Sequence, residues 1–334
     1  MIALARRIAN RSKDYILFNP LLESIWVDKM RGQVAAMLYH QVEGRAETEF
    51  LTRGGSPKIS TAELRSDLAF FKKLGARFFT FADLIAGQFP EKNEVGIAVC
   101  FDDCFRNNYE AGIAVLDDLR IPATFFQTTG LVDATDLLWE HKLYWYTRND
   151  GMTARFAAMA ADCLATPELE LLTRGDFLVR LREGMPFSEC QRVIAAADEL
   201  LSPAVERAEL AALIYPSAAH IRSAAKSGHE IASHGHQHLF RARVTRSEFS
   251  DDLKRSAVSL TELTGIRPEN YSFPFDNWSS EDQATVLETF KAASTVSKQP
   301  VLRGSSRTLL PRFTWPGAAR NSFRHRRWLV TGGI

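Results

Sequence analysis

No hydrophobic run in this sequence approaches the about 20 residues that a membrane-spanning helix needs. Cysteine is scarce: Cys100, Cys104, Cys163 and Cys190 are the four present, none pairs as C-x-x-C, and no disulfide-framework spacing appears. That excludes a small disulfide-stapled scaffold and points to a reducing compartment. Charge of one sign is lacking as well, with 41 Lys and Arg against 40 Asp and Glu, so the net charge of +1 gives no whole-molecule bias toward nucleic acid or acidic membranes. Internal repeats and low-complexity stretches are absent. What remains is an ordinary globular composition, 46% hydrophobic and 24% charged over 334 residues. A chain of that length affords one large α/β domain or two average ones, with a core that needs no disulfide or structural metal.

The segment MIALARRIANRSKDYILF has basic residues too early, and too short an apolar run, for a secretion-signal core. The expected location is therefore cytoplasmic. Basic residues do gather at the two ends, as Arg6, Arg7, Arg11 and Lys13 and as Arg320, Arg324, His325, Arg326 and Arg327. These ends are candidates for peripheral contact with phosphate or lipid headgroups; a solvated basic face is the simpler reading.

Residues 1–33 read as a helical lead-in. VAAMLYH (34–40) is a short apolar run that reads as a buried strand, and the glycine-rich stretch 41–60 reads as a loop. Leu64, Leu68, Phe71 and Leu74 are spaced for a helix that ends at Gly75. VGIAVCF (95–101) is the clearest strand, almost free of polar residues, as expected where both sheet faces are covered. A helix over 108–120 and a strand at ATFFQ (123–127) follow, then a long Ala/Leu/Arg/Glu-rich helical stretch, about 131–215, which reads as an insertion. HEIASH, YSF and KAASTV are further short strands after helices at 216–228 and 246–264. About seven strands alternating with helices imply a parallel α/β sheet; an open doubly wound sheet and a barrel both satisfy this pattern.

Two constellations carry chemistry, both at the ends of apolar strands, where parallel α/β folds place their ligands. Asp102 and Asp103 directly end the 95–101 strand. Adjacent carboxylates repel, and a cation beside them relieves the repulsion; solvated or helix-capping aspartates are the bland alternative. Ser233-His234-Gly235-His236-Gln237-His238 packs three of the chain's eight histidines into five residues. Imidazole is a common ligand of zinc-like metals. One Asp with two His matches the three protein ligands of a catalytic zinc site, and a second carboxylate then serves as base. Water activated this way attacks an amide or ester carbonyl, so the residues imply a hydrolase without naming its substrate.

IAVCFDDCFRNNYEAGIAVLDDLRIPATFF resembles the first block of the polysaccharide deacetylases, the NodB-homology family also called carbohydrate esterase family four. GHEIASHGHQHLF is similar to its second block, YSFPFDN to its substrate-groove loop and AMLYHQV to the Tyr-His-x-Val opening of one branch. The resemblance runs from about residue 34 to 315. It implies a distorted (β/α) barrel over 34–334 carrying the helical insertion, with Asp102 as catalytic base and Asp103, His234 and His238 as metal ligands. It also implies a substrate groove at Phe273, Pro274 and Phe275, with His236 facing substrate or supporting the ligands. The implied cofactor is a divalent metal, zinc first and cobalt, nickel, manganese or iron as alternatives. The implied partner is an N-acetylated carbohydrate, polymeric or lipid-linked, and no nucleic acid.

The sequence departs from the family in four places. Cys104 and Asp276 stand where Gly is usual. The arginine expected before the Pro loop is missing, with Ser272 and Phe273 there instead. The C-terminal Leu-x-His block that supplies a general acid reads LLPRFTW (309–315), with Arg312 and no histidine. Arg312 is then a candidate to stabilise an oxyanion or bind a substrate anion, a structural ion pair being the equal alternative. His40 is the remaining candidate for the proton donor, against a buried structural role. Trp139 and Trp145 are candidates to stack on sugar rings, against core packing. An N-deacetylase or deformylase of sugars leads; a non-catalytic carbohydrate binder and an amidase on a non-sugar C–N bond are the alternatives.

Overall fold

The computed structural model describes residues 23–297, 299–304 and 306–314. Of the expected lead-in, the helix Glu23–Met30 lies within that range; the basic clusters at 6–13 and 320–327 lie outside the described residues, as does Trp315. Among the described residues the strands are β1 (Gln33–Tyr39), β2 (Gln41–Val42), β3 (Lys58–Ile59), β4 (Arg77–Phe79), β5 (Gly96–Phe101), β6 (Thr124–Gln127), β7 (Glu230–Ser233), β8 (Asn270–Ser272), β9 (Ala292–Val296), β10 (Val301–Leu302) and β11 (Leu309–Thr314).

Seven of these pair in parallel in the order β1-β11-β9-β8-β7-β6-β5 and close on themselves through β1–β5, which resolves the open-sheet alternative in favour of the barrel. β4 adds in parallel beside β5, and β10 adds antiparallel beside β1. The closing seam runs in register from Val34↔Gly96 to Tyr39↔Phe101. Gly96 is required there, because a Cβ would come within 2.7 Å of Val34 Cγ2 and 2.9 Å of the Gln33 carbonyl oxygen.

Strand alternation sorts the two faces. Val34, Ala36, Leu38, Ala98, Cys100, Phe126, Ala232, Ala292 and Leu310 form one core. Strands all round the barrel contribute to it, so it is the interior, and its many alanines suit a narrow barrel. The alternate residues Ala35, Met37, Tyr39, Ile97, Val99 and Phe101 pack outward on Leu64, Leu68 and Phe71 of the helix Thr61–Lys73. Burying a large aliphatic or aromatic side chain contributes about 1.5–3 kcal/mol. That helix starts on Ser60, whose hydroxyl and Glu63 cap each other reciprocally.

Helices Trp139–Tyr146, Asp150–Leu164, Arg174–Glu183, Phe187–Leu200 and Ala204–Ile214 build a second core around Leu143, Tyr146, Phe156, Phe177 and Val193. Phe50, Leu51 and Phe105 reach into it from the barrel side. Residues 41–60, read from sequence as a loop, instead hold the parallel pair β2–β3 and the helix Glu49–Gly54. Two-residue strands are too short to show a period, and Phe50 and Leu51 are apolar because the second core buries them. No described helix is long and apolar enough to cross a membrane.

Candidate active site

The inward parity of the strands runs on to the C-terminal mouth of the barrel, within β8 and β11 and one step past the ends of β1, β5 and β7. Leu38 is followed in phase by His40, Cys100 by Asp102, Ala232 by His234, Asn270 by Ser272, and Leu310 by Arg312. A cavity of about 390 Å³ opens over this ring, lined among others by His40, Ser56, Asp102, Asp103, Glu140, His234, His238, Phe273 and Phe275. A larger cavity of about 580 Å³ between the helix Glu49–Gly54 and the second core holds none of these groups.

Asp103, His234 and His238 offer one donor atom each within 4.8 Å of one another. His238 Nε2 lies 3.2 Å from Asp103 Oδ1 and 3.2 Å from His234 Nε2, and His234 Nε2 lies 3.6 Å from the same carboxylate oxygen. Each imidazole's other nitrogen is already used. His234 Nδ1 donates to the Ser272 carbonyl at 2.9 Å, and His238 Nδ1 donates to the Glu140 carboxylate. These partners set the tautomers, so both Nε2 lone pairs face the centre. Ser56 Oγ donates to the free Asp103 oxygen at 3.0 Å. Three converging lone pairs repel unless something positive sits among them, and a divalent cation fits this Asp/His₂ set. Burial alone would lower the pKa of His238, but Glu140 and Asp103 lift it to about 10, so the site favours positive charge.

The backbone is strained where it presents these ligands. Asp103 (φ 61°), Cys104 (φ 62°) and His238 (φ 51°) are all left-handed, at about 1–3 kcal/mol each. The surroundings fix the segment that leads to His238: Asp252 accepts the backbone N–H groups of His236 at 2.9 Å and Gln237 at 2.8 Å, and Trp139 Nε1 donates to the Gln237 carbonyl at 2.8 Å. Gly235 (φ 79°) has no room for a Cβ, which would stand 2.7 Å from Asp252 Oδ2.

Asp102 sits beside this donor set, its Oδ2 3.8 Å from His234 Nε2, with both of its oxygens engaged elsewhere. Arg312 grips it with two bonds, Nη1 to Oδ1 at 2.6 Å and Nη2 to Oδ2 at 3.0 Å, while Ser272 Oγ donates to Oδ2 at 3.2 Å. Burial pushes the Asp102 pKa up; the Arg312 guanidinium and then His234 more than reverse it, leaving the group below its ordinary value. Arg312 is fully buried and stacks over Phe126. It lies behind Asp102 and is not part of the cavity lining, which corrects the expectation that it meets an oxyanion or a substrate anion; the ion pair is its role here. Arg312→Met is expected to destabilise the fold by about 3–5 kcal/mol at pH 7, since it strands a buried carboxylate. Because the pair lowers the Asp102 pKa, its stabilisation is present above the unfolded Asp value of about 3.9 and is lost as pH falls below it. Urea unfolding of both proteins should therefore show the difference shrinking in acid; a difference that is constant down through that range would contradict this.

His40 faces the cavity with its Nδ1 buried and unpartnered, and its backbone carbonyl accepts from Asn108 Nδ2. Burial lowers its pKa in spite of Asp103 and Asp102, so its resting form is neutral. Phe273 and Phe275 line the cavity; Pro274, buried between them, does not. His236 does not reach it either. The turn at Gly235 sends its ring to another cavity, beside Thr129 Oγ1 at 2.8 Å. Cys104 Sγ donates to the Phe101 carbonyl at 3.3 Å and burial holds its pKa well above normal, so it is an inert thiol and no ligand. Trp139 is buried with its N–H engaged, and Arg148 covers a face of Trp145, so both pack rather than offer stacking platforms. His141, His220 and His229 bond Tyr215, Ser217 and Asp117.

Sequence reasoning missed Glu140, Ser56, Tyr144 and Arg182, which also line the cavity. They come from the insertion and the 41–60 segment, and no local motif marks them. Ser272 was missed as well, although its phase with the inward face of β8 marks it.

A family model described as polysaccharide deacetylase matches residues 90–165 and 192–289, just over half of the chain. Among solved structures, a polysaccharide deacetylase from Bacillus cereus is similar with a TM-score of 0.56 at 14% identity, over 90% of this chain and 69% of its own. A de-N-acetylase from Aggregatibacter actinomycetemcomitans gives 0.56 at 14%, over 89% and 99%. IcaB from Ammonifex degensii gives 0.54 at 15%, over 90% and 97%. At these identities the likeness is one of fold. No curated protein matches the chain in sequence.

Proposed function

Since this chain belongs to the polysaccharide deacetylase family, we propose that it is a metal-dependent hydrolase removing an acetyl or formyl group from the nitrogen of an N-acylated sugar, on a polysaccharide or a lipid-linked glycan precursor. The observation that carries the proposal is the juxtaposition, in one cavity, of a converged Asp103/His234/His238 donor set with a second carboxylate, Asp102, kept out of that set by Arg312. A pure binder has no need of that separation.

Asp103, His234 and His238 would hold the ion, zinc being the first choice for this donor set and cobalt, nickel, manganese or iron alternatives. When bound it supplies Lewis-acid polarisation of water and of the acyl carbonyl. Asp102 takes the proton released as the water oxygen bonds to the acyl carbon. Arg312 and Ser272 aim the carboxylate and keep it ionised. The C–N bond then breaks, the acyl group leaves as a carboxylate, and the nitrogen needs a proton. Asp102, holding the proton taken from water, can return it, and His40, which faces the same cavity, is the other candidate donor. Phe275, whose ring centroid lies 4.7 Å from that of His238, gives a small acyl methyl an apolar wall.

The test is amine release by metal-loaded protein from N-acetylglucosamine oligomers, run beside O-acetylated oligomers and a non-sugar acetamide. Free amine should form from the N-acetylated sugar. Turnover confined to the acetamide would favour the amidase reading, and metal-loaded protein inert on all three would point to the non-catalytic binder.

A further inference from the structure

The helix Trp139–Tyr146 belongs to the second core, yet two consecutive residues of it hold the segment that ends in His238. Trp139 Nε1 donates to the Gln237 carbonyl at 2.8 Å, and the Glu140 carboxylate accepts the Nδ1 proton of His238. Glu140 is buried and is itself fixed from its other oxygen, which accepts Tyr144 Oη at 2.7 Å; Tyr144 in turn accepts Arg182 Nη1 at 3.2 Å. A buried carboxylate without such partners is costly to hold, so this one is built in. A carboxylate behind a ligating imidazole fixes its tautomer and rotation and raises its basicity.

We infer that Glu140 is a positioning residue of the metal centre, so that the helical insertion completes the site rather than merely decorating the barrel. This rests on the proposed metal site. His234 is aimed by a strand carbonyl, Ser272, within the barrel itself. His238, left-handed at φ 51°, has no barrel group behind its Nδ1 and depends on the insertion. The two ligands are thus supported from different cores.

The test uses the full chain, stripped of metal and titrated with Zn²⁺ against a chromophoric chelator. Glu140→Gln keeps an acceptor but removes the charge; Glu140→Ala removes both. Zinc affinity should fall about 10-fold and about 100-fold respectively, the range seen when such supporting carboxylates are lost. Leu143→Ala, which opens a void in the second core from the same helix, controls for damage to the insertion and should bind zinc as the parent does. Parental affinity in Glu140→Ala would overturn the inference. So would an equal loss in Leu143→Ala, which would make the effect one of packing. Failure of the parent protein itself to bind zinc or its divalent alternatives would instead overturn the metal site, and this inference with it.

Discussion

Asp102→Asn is expected to lower kcat for amide hydrolysis by about 10²–10⁴-fold, the usual contribution of a positioned general base, while zinc affinity stays within a few-fold of the parent. The two readouts separate because Asp102 lies outside the converged donor set and is claimed on both oxygens by Arg312 and Ser272. Asparagine matches the shape and keeps one oxygen for the guanidinium, but its amide cannot take up a proton. KM should change little if, as proposed, the acyl group meets the metal rather than Asp102. Some stability should also go, because a fully buried guanidinium then faces a neutral partner; assays are therefore run well below the unfolding midpoint. A variant that turns over at the parental rate would remove Asp102 from the mechanism. A variant that loses zinc as well would place it in the ligand set instead.

His234→Ala is expected to abolish both zinc binding and turnover. It deletes one of three donors and leaves Asp103 and His238 with incomplete coordination. The several kcal/mol that an ion contributes to carbonyl and water activation then disappear, a loss of at least about 10³-fold in rate. The fold itself should survive, because the apolar barrel interior and the Arg312–Asp102 pair are both left in place. Thermal unfolding supplies the separate readout. Saturating zinc at about 100 times its dissociation constant stabilises the parent by about 2.7 kcal/mol and should leave the variant unmoved. Zinc affinity in the parent should also rise with pH, because the ion displaces the proton that Glu140 and Asp103 hold on His238, whose metal-free pKa is lifted to about 10. An affinity that is flat with pH would contradict the proton displacement.

The parts of the site written on barrel strands were legible, and the parts written elsewhere were not. Asp102, Asp103 and His234 end strands whose apolar runs are unmistakable, and strand parity alone aims His40, Asp102, His234, Ser272 and Arg312 at one centre. Arg312 was seen, with an anion-binding role and a structural ion pair left as equal readings. Without coordinates nothing shows that the β11 guanidinium reaches Asp102. His236 was misplaced because proximity in sequence to two ligands says nothing about a turn at Gly235. Glu140 was invisible for a deeper reason: its meaning comes from a contact 98 residues away in sequence, made by a helix whose own composition reads as ordinary core. The barrel itself needed the family resemblance, since seven alternating strands do not reveal whether β1 and β5 meet.

The most direct test is amine release from an N-acetylglucosamine oligomer, measured on metal-stripped protein as zinc is added back and plotted against ion bound per chain. The rate should start at background, climb in proportion to bound ion and level off at one ion per chain. Release at full rate from the metal-free protein, or none with one ion in place on any N-acylated sugar offered, would contradict a metal-dependent deacetylase built on Asp102, Asp103, His234 and His238.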